Sequence, residues 1–155
     1  MIKIMFVCHG NICRSPMAEF IFKDMLEKNN RLSDFLVASS ATSTEEIYNG
    51  IGNAVYPPAR AELARHGIGV DGKRAVQLKS SDADEYDMFV GMDNMNIRNM
   101  HQILGDGAKN KIFKLMDFTE HGGDVADPWY SGRFDVAYRD IYEGCTGLYE
   151  YLERK

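Results

Sequence analysis

Residues 2–20 read IKIMFVCHGNICRSPMAEF, an apolar run followed by a short polar loop and a helix start. The run Ile2–Cys8 is nearly continuous in apolar residues, as expected of a strand that is covered on both faces. Ser15 is a favoured capping residue, and Pro16 suits the first position of a helix. Apolar residues then recur at helical spacing. The segment therefore predicts a strand, a tight loop and a helix, the first half of a βαβ unit.

The rest of the chain repeats this alternation. Three more apolar runs predict strands over Leu36–Ala41, Met88–Met92 and Ile112–Met116. Helical patterns cover Ala59–His66 (after a stop at Pro57–Pro58), Asp93–Leu104 and Phe134–Leu152. Gly144 and Gly147 are expected to weaken the last helix. Residues 1–155 are thus predicted to form one α/β domain, a three-layer fold in which helices flank a four-stranded parallel sheet.

Composition and charge limit the classes of partner and the compartment. The 155 residues carry 18 Lys and Arg against 23 Asp and Glu, a net charge of −5. That sign disfavours binding to a nucleic-acid backbone, so no nucleic-acid partner is expected. The early apolar run is too short for a signal peptide or a membrane span, which predicts no membrane association. Three cysteines do not form a secreted disulfide framework and favour free thiols in the cytoplasm.

The loop between the first predicted strand and helix has the features of a phosphate site. Ligands bind at the carboxyl ends of strands in open α/β sheets. Inward-turned backbone N–H groups and the positive end of the following helix suit a phosphate dianion, and Gly10 and Asn11 tolerate the left-handed backbone that this needs. The sequence lacks the Gly-Lys-Ser/Thr of a nucleotide-binding loop. The predicted phosphate-binding residues are His9, Gly10, Asn11, Ile12, Cys13, Arg14 and Ser15.

Two residues of this segment, Cys8 and Arg14, are predicted to be catalytic. Cys8, next to a guanidinium and a helix N-terminus, would be held as a thiolate nucleophile. Arg14 offers a planar fork for two phosphoryl oxygens, and Ser15 could donate its hydroxyl to the departing thiolate. A Cys-x5-Arg spacing alone often arises by chance, in which case both residues would be structural. The strand before the loop and the Ser-Pro helix start after it favour the catalytic interpretation.

A second motif, Asp127-Pro128-Trp129-Tyr130, supplies the remaining chemistry. A carboxylic acid can protonate the leaving oxygen and then, as a carboxylate, deprotonate the attacking water, and Asp127 is predicted to do both. Trp129 and Tyr130 are predicted to form a wall of the substrate cleft against an aromatic ring. Tyr48, from the long polar connection 43–58, is a candidate for the opposite wall, although an exposed loop tyrosine is an equal alternative.

The stretch Cys8–Glu19 resembles the signature of the low-molecular-weight protein tyrosine phosphatases, and Asp127–Tyr130 resembles that family's Asp-Pro-aromatic-aromatic loop. The resemblance implies a cysteinyl-phosphate intermediate with no metal and no cofactor. The implied substrates are phosphotyrosine-containing proteins or peptides, and the product is inorganic phosphate. It also implies a reversible disulfide between Cys8 and Cys13, with a packing role for Cys13 equally open, and a pairing of His66 with Glu19.

Alternatives within and outside this family remain at this stage. Ile12 favours phosphotyrosine, because the related bacterial arginine phosphatases tend to carry threonine there. A thiol arsenate reductase on the same scaffold needs further cysteines, and residues 80–90 contain none. A phosphopeptide-binding module would need neither Cys8 nor Asp127. The segment 44–51 is longer than the loop that the family usually has at this place. The chain is expected to be a monomer or to self-associate weakly.

Overall fold

The computed structural model describes residues 1–154. Its strands are β1 (Ile2–Cys8), β2 (Phe35–Ala41), β3 (Ile47–Tyr48), β4 (Ile51–Gly52), β5 (Met88–Gly91) and β6 (Ile112–Lys114). Its α-helices are α1 (Arg14–Lys28), α2 (Pro57–Arg65), α3 (Asp82–Glu85), α4 (Asn94–Leu104), α5 (Pro128–Ser131) and α6 (Phe134–Glu153). Short 3-10 helices cover Leu32–Asp34, Asp106–Lys111 and Leu115–Phe118. No helix within this range is long and apolar enough to span a lipid bilayer.

Four strands form one parallel sheet in the order β2-β1-β5-β6. Alternate residues of the central strand β1 face two separate cores, as the period of a strand requires. Ile4 and Phe6 belong to the core that α1 and α6 cover, whereas Met5 and Val7 pack in the core that contains α4. The predicted α/β class and the four-stranded parallel sheet flanked by helices are confirmed.

Two predicted strand ends differ from the structure, since β5 stops at Gly91 and β6 at Lys114. Residues beyond β6 turn into the 3-10 helix Leu115–Phe118, which lies under α6. A Cβ atom on Gly147 would lie 2.0 Å from the carbonyl oxygen of Phe118. Gly147 therefore lets the backbones of α6 and this turn approach closely, a packing role that its expected weakening of the helix did not reveal.

Helix starts depart from the sequence expectations at two places. Helix α1 begins at Arg14 without a side-chain cap, so Ser15 lies in the first turn and its hydroxyl is directed elsewhere. Pro57 and Pro58, predicted to stop a helix, are the first residues of α2. Proline lacks the N–H that a first-turn residue leaves unpaired anyway, so it starts a helix as readily as it ends one.

The long connection before α2 contains a small hairpin, β3–β4, that is fixed to the segment preceding α3. Arg74 donates to the carbonyl of Gly52 at 2.9 Å, and the Ala75 N–H donates to the carbonyl of Asn53 at 2.9 Å. A Cβ on Gly52 would lie 1.9 Å from the carbonyl oxygen of Ala75, so only glycine fits this approach. The predicted loop is therefore a hydrogen-bonded structure at the carboxyl edge of the sheet.

Candidate active site

The loop between β1 and α1 surrounds the sulfur of Cys8. Asn11 has a φ of 60° and its N–H donates to Cys8 Sγ at 3.3 Å, while the N–H of Ser15 donates at 3.4 Å. Asn11 adopts the left-handed conformation that the sequence suggested. Gly10 does not, and its role is spatial, because a Cβ there would lie 3.2 Å from the Cγ of Glu46. The sulfur thus accepts hydrogen bonds from two backbone N–H groups of the loop, an arrangement that suits an anion.

A buried hydrogen-bond network fixes the direction of the Ser15 hydroxyl. Ser39 donates to Glu19 at 2.6 Å, and the Asn11 side-chain amide donates to Ser39 Oγ at 2.9 Å and to Ser15 Oγ at 2.7 Å. Ser15 Oγ lies 3.0 Å from Cys8 Sγ. Because the Ser15 oxygen already accepts from Asn11, its own hydrogen is free to donate to the sulfur. Ser39 was not predicted as a site residue, because its place in the network depends on the pairing of β1 with β2.

The predicted pairing of Glu19 with His66 is wrong. Glu19 instead lies 2.6 Å from Lys23, one turn further along α1. His66 lies one turn after Glu62, at 3.1 Å, and stacks on the ring of Tyr138 with a centroid separation of 3.7 Å. Residues four positions apart lie side by side along a helix, so Glu19 and His66 each contact a partner four residues away instead of each other.

A partly buried lysine, which the sequence did not single out, lies behind the same network. Lys73 donates to the carbonyl of Ser39 at 2.9 Å. Burial lowers the pKa of Lys73, and the negative charges of Glu19 and Cys8 act in the opposite direction. The lysine therefore places a partly desolvated positive group on the side of the loop away from the cleft.

Arg14 is only 4 % exposed, and two neighbours fix its guanidinium. It donates to Asp93 at 2.8 Å and to the carbonyl of Val125 at 2.7 Å, while Asp93 also caps α4 through the N–H of Asn96. Burial alone would lower the pKa of Arg14, but the charges of Cys8 and Asp93 outweigh it, so the pKa lies above its usual value. A fixed, charged guanidinium beside the loop is suited to bind phosphoryl oxygens.

The Asp127 motif lies beside Arg14. One oxygen of Asp127 accepts from the N–H of Trp129 at 3.0 Å and starts α5, and the other lies 3.8 Å from Arg14. The ring of Trp129 packs on Tyr56 with a centroid separation of 4.7 Å, while Tyr130 is 86 % exposed. The carboxyl group is thus close to the phosphate loop, where it can exchange a proton with a leaving oxygen or a water.

The structure gathers most of the predicted site residues around a cavity of about 250 Å³. Its lining includes Cys8, His9, Gly10, Ile12, Cys13, Arg14, Asp127, Trp129 and Tyr130. The side chains of Asn11 and Ser15 take part in the buried hydrogen-bond network instead. Tyr48, which is 63 % exposed on the hairpin, does not line this cavity. Glu45 and Glu46 do, and no local signal distinguishes them from an ordinary solvated acidic pair.

The other two cysteines lie in environments that suppress thiolate formation. Burial, followed by the negative charge of Cys8, raises the pKa of Cys13 to about 12. Cys145 packs in the core beside α1, where burial raises its pKa. Within residues 1–154, no three His, Cys, Asp or Glu side chains converge as metal ligands.

Comparison with known proteins gives a consistent result over the whole chain. The family described as low molecular weight phosphotyrosine protein phosphatase matches residues 3–155. The chain is 34 % identical over 157 residues to the low molecular weight protein-tyrosine-phosphatase YfkJ of Bacillus subtilis, covering 100 % of this chain and 98 % of YfkJ. It is also 34 % identical over 153 residues to PtpA of Staphylococcus saprophyticus, with 98 % and 94 % coverage. The crystal structure of YfkJ superimposes with a TM-score of 0.93 at 35 % identity, over 99 % of this chain and 96 % of that one.

Proposed function

The chain belongs to the low molecular weight phosphotyrosine protein phosphatase family, and from that premise we propose that it hydrolyses phosphotyrosine monoesters in proteins or peptides through a cysteinyl-phosphate. The sulfur of Cys8 supports the proposal most directly, because it accepts hydrogen bonds from the N–H groups of Asn11 and Ser15 within the loop. Arg14 and Asp127 line the same cavity. A nucleophile, an anion clamp and a proton donor are thus within reach of one phosphoryl group.

In the first step the Cys8 thiolate attacks phosphorus and the bond to the tyrosyl oxygen breaks. The loop N–H groups and Arg14 bind the equatorial oxygens, where negative charge must be stabilised in the transition state. Asp127 donates its proton to the departing oxygen, which leaves as the neutral phenol of tyrosine. The products of this step are the dephosphorylated peptide, a phosphorus–sulfur bond at Cys8 and a carboxylate at Asp127.

In the second step water attacks the phosphorus of the cysteinyl-phosphate. The Asp127 carboxylate takes a proton from that water, and the phosphorus–sulfur bond breaks. The thiolate leaves while accepting the hydrogen bond that Ser15 is free to donate, which lowers the energy of the departing charge. Inorganic phosphate is released, and both Cys8 and Asp127 return to their starting protonation states.

Every role in this scheme belongs to a side chain or a backbone group, so we propose a reaction that needs neither metal nor cofactor. A thiolate nucleophile requires a reducing environment, and the three free cysteines support a cytoplasmic location for a single phosphatase domain. We further propose that Ile12, which lines the cavity, favours an aromatic phosphoester over phosphoarginine. The protein would act as a monomer or a weakly associating species.

The test compares phosphate release from a phosphotyrosine peptide and a phosphoarginine peptide, in chelator, by the wild type and by Cys8→Ser. We expect the wild type to hydrolyse the phosphotyrosine peptide and the variant to be slower by about 10³-fold or more, because the nucleophile is lost. Comparable turnover by Cys8→Ser would refute the cysteinyl-phosphate mechanism. Hydrolysis of phosphoarginine alone would leave the mechanism intact and overturn the substrate.

A further inference from the structure

Two carboxylates, Glu45 and Glu46, line the cavity that contains Cys8, yet the proposed chemistry uses neither. A negative charge beside a site for a phosphate dianion opposes binding, so these residues are costly there unless another part of the substrate compensates. Arg14, the cation of the lining, is bound to Asp93. Beyond the phosphate loop itself, the lining of the cleft therefore carries mainly negative charge.

Each carboxylate has one side-chain partner, and the Glu45 side chain is otherwise 68 % exposed. Glu45 lies 3.0 Å from the Nε2 of His9 in the phosphate loop. One side-chain oxygen of Glu46 accepts from the amide of Asn53 at 2.9 Å, and its carbonyl accepts from the N–H of Asn53 at 2.8 Å. Asn53 follows the hairpin β3–β4, which is itself anchored to Arg74 and Ala75.

The segment that precedes these glutamates is joined directly to the phosphate loop. The N–H of Thr42 donates to the carbonyl of Cys8 at 3.0 Å, and the N–H of Ser43 donates to the carbonyl of His9 at 3.0 Å. The backbone that carries the acidic pair is therefore fixed relative to the phosphoryl site, which keeps both charges in the lining of the same cavity for any bound substrate.

A phosphotyrosine whose phosphate lies in the loop must bring its neighbouring peptide residues to the rim of this cavity. Carboxylates there attract lysine or arginine side chains and repel aspartate or glutamate. Resting on the proposed function, we propose that Glu45 and Glu46 select phosphotyrosine with basic neighbours over phosphotyrosine with acidic neighbours. They are specificity residues, and the bond-making steps do not involve them.

The experiment measures kcat/KM for three phosphotyrosine peptides that differ only in having lysine, serine or glutamate on both sides of the phosphotyrosine. Each partly exposed charge pair contributes about 2–5-fold, so we expect the wild type to prefer the lysine peptide over the glutamate peptide by about tenfold at low salt. The preference should shrink in ~0.5 M salt, where the Debye length falls to about 4 Å.

The variants are Glu45→Gln, Glu46→Gln and their combination, with Glu27→Gln as the matched control. Glutamine keeps the size of the side chain, and at position 46 it retains an oxygen that can accept from Asn53. Glu27 is exposed on α1 and does not line the cavity, so its change alters net charge alone. We expect the double variant to lose most of the tenfold preference and Glu27→Gln to keep it.

Failure of this inference is distinguishable from failure of the proposed function. Equal rates on the three peptides in the wild type, or a preference that survives in the double variant, would overturn the selection while leaving phosphatase activity established. Absence of Cys8-dependent turnover of p-nitrophenyl phosphate, which has no peptide neighbours, would instead overturn the proposed function.

Discussion

Cys8 and Cys13 belong to one short loop, yet their surroundings give their sulfur atoms opposite properties. Cys8 receives hydrogen bonds from the N–H groups of Asn11 and Ser15, which favour a negative charge. Cys13 is buried, and burial together with the charge of Cys8 raises its pKa to about 12. Because only the thiolate is a strong nucleophile, one position of the loop is prepared for reaction and the other is protected from it.

This difference predicts the outcome of alkylation. With a pKa of about 12, Cys13 has a thiolate fraction of about 10⁻⁵ at pH 7 and about 10⁻³ at pH 9. We expect iodoacetamide at pH 7 to 9 to label Cys8 and leave Cys13 unlabelled, as located by fragment mass spectrometry of the peptide that contains both. The Cys8→Ser variant is the control, in which the peptide should stay unmodified. Equal labelling of the two positions would contradict the assigned environments.

The disulfide between Cys8 and Cys13 that the family resemblance implies stays a prediction. A raised pKa makes Cys13 a poor attacking group by itself. The bond would then form only after a peroxide has oxidised Cys8 to the sulfenic acid, with water as the leaving product. In reducing conditions the thiols of Cys8 and Cys13 stay free, which is how the structure shows them.

At the scale of secondary structure, helix α6 and the 3-10 turn Leu115–Phe118 show competition between local propensity and packing. Replacing Gly147 by alanine favours an isolated helix by about 1 kcal/mol. In this protein the new Cβ would lie 2.0 Å from a backbone oxygen, and overpacking against a backbone costs about 3 kcal/mol at the upper end of its usual range. Packing therefore outweighs propensity, and the net effect is a destabilisation of about 2 kcal/mol.

The measurement is the free energy of unfolding in urea for Gly147→Ala, beside Gly69→Ala. Gly69 has no heavy atom within 4 Å of its added Cβ and has a φ that other residues adopt, so its variant should stay within about 1 kcal/mol of the wild type. A gain of stability in Gly147→Ala would show that helix propensity dominates and that α6 shifts without cost.

The same competition explains which elements the sequence predicted. Strands β1, β2 and β5 are mainly apolar, so their pattern was sufficient to find them. The end of β6 was missed because Leu115 and Met116 are buried in a 3-10 turn instead. An apolar run in the sequence indicates that its residues are buried, but it does not specify whether the backbone is a strand or a helical turn. Likewise Cys8, Arg14 and Asp127 were identified from short motifs, but Glu45 and Glu46 reach the cavity only through contacts between distant segments.

At the scale of the whole molecule, the net charge of −5 opposes the phosphate that the loop is built to bind. Exposed charges more than about 8–10 Å away are largely screened at physiological salt, so their repulsion is weak. The local donors around Cys8 and the guanidinium of Arg14 act at hydrogen-bonding distance and are screened far less. Binding of the product anion should therefore be decided within the loop and change little with moderate salt.

Such binding predicts a stabilisation that can be measured without any substrate. A ligand present at about 100 times its Kd adds about 2.7 kcal/mol to the free energy of unfolding, which for a chain of this size raises Tm by about 5–10 °C. We expect inorganic phosphate to produce a saturable rise in Tm that chloride at equal ionic strength does not. Arg14→Lys keeps the charge but loses the planar fork, so it should reduce the rise substantially. Equal shifts in phosphate and chloride, or an undiminished shift in Arg14→Lys, would show that the anion acts through general screening rather than through the loop.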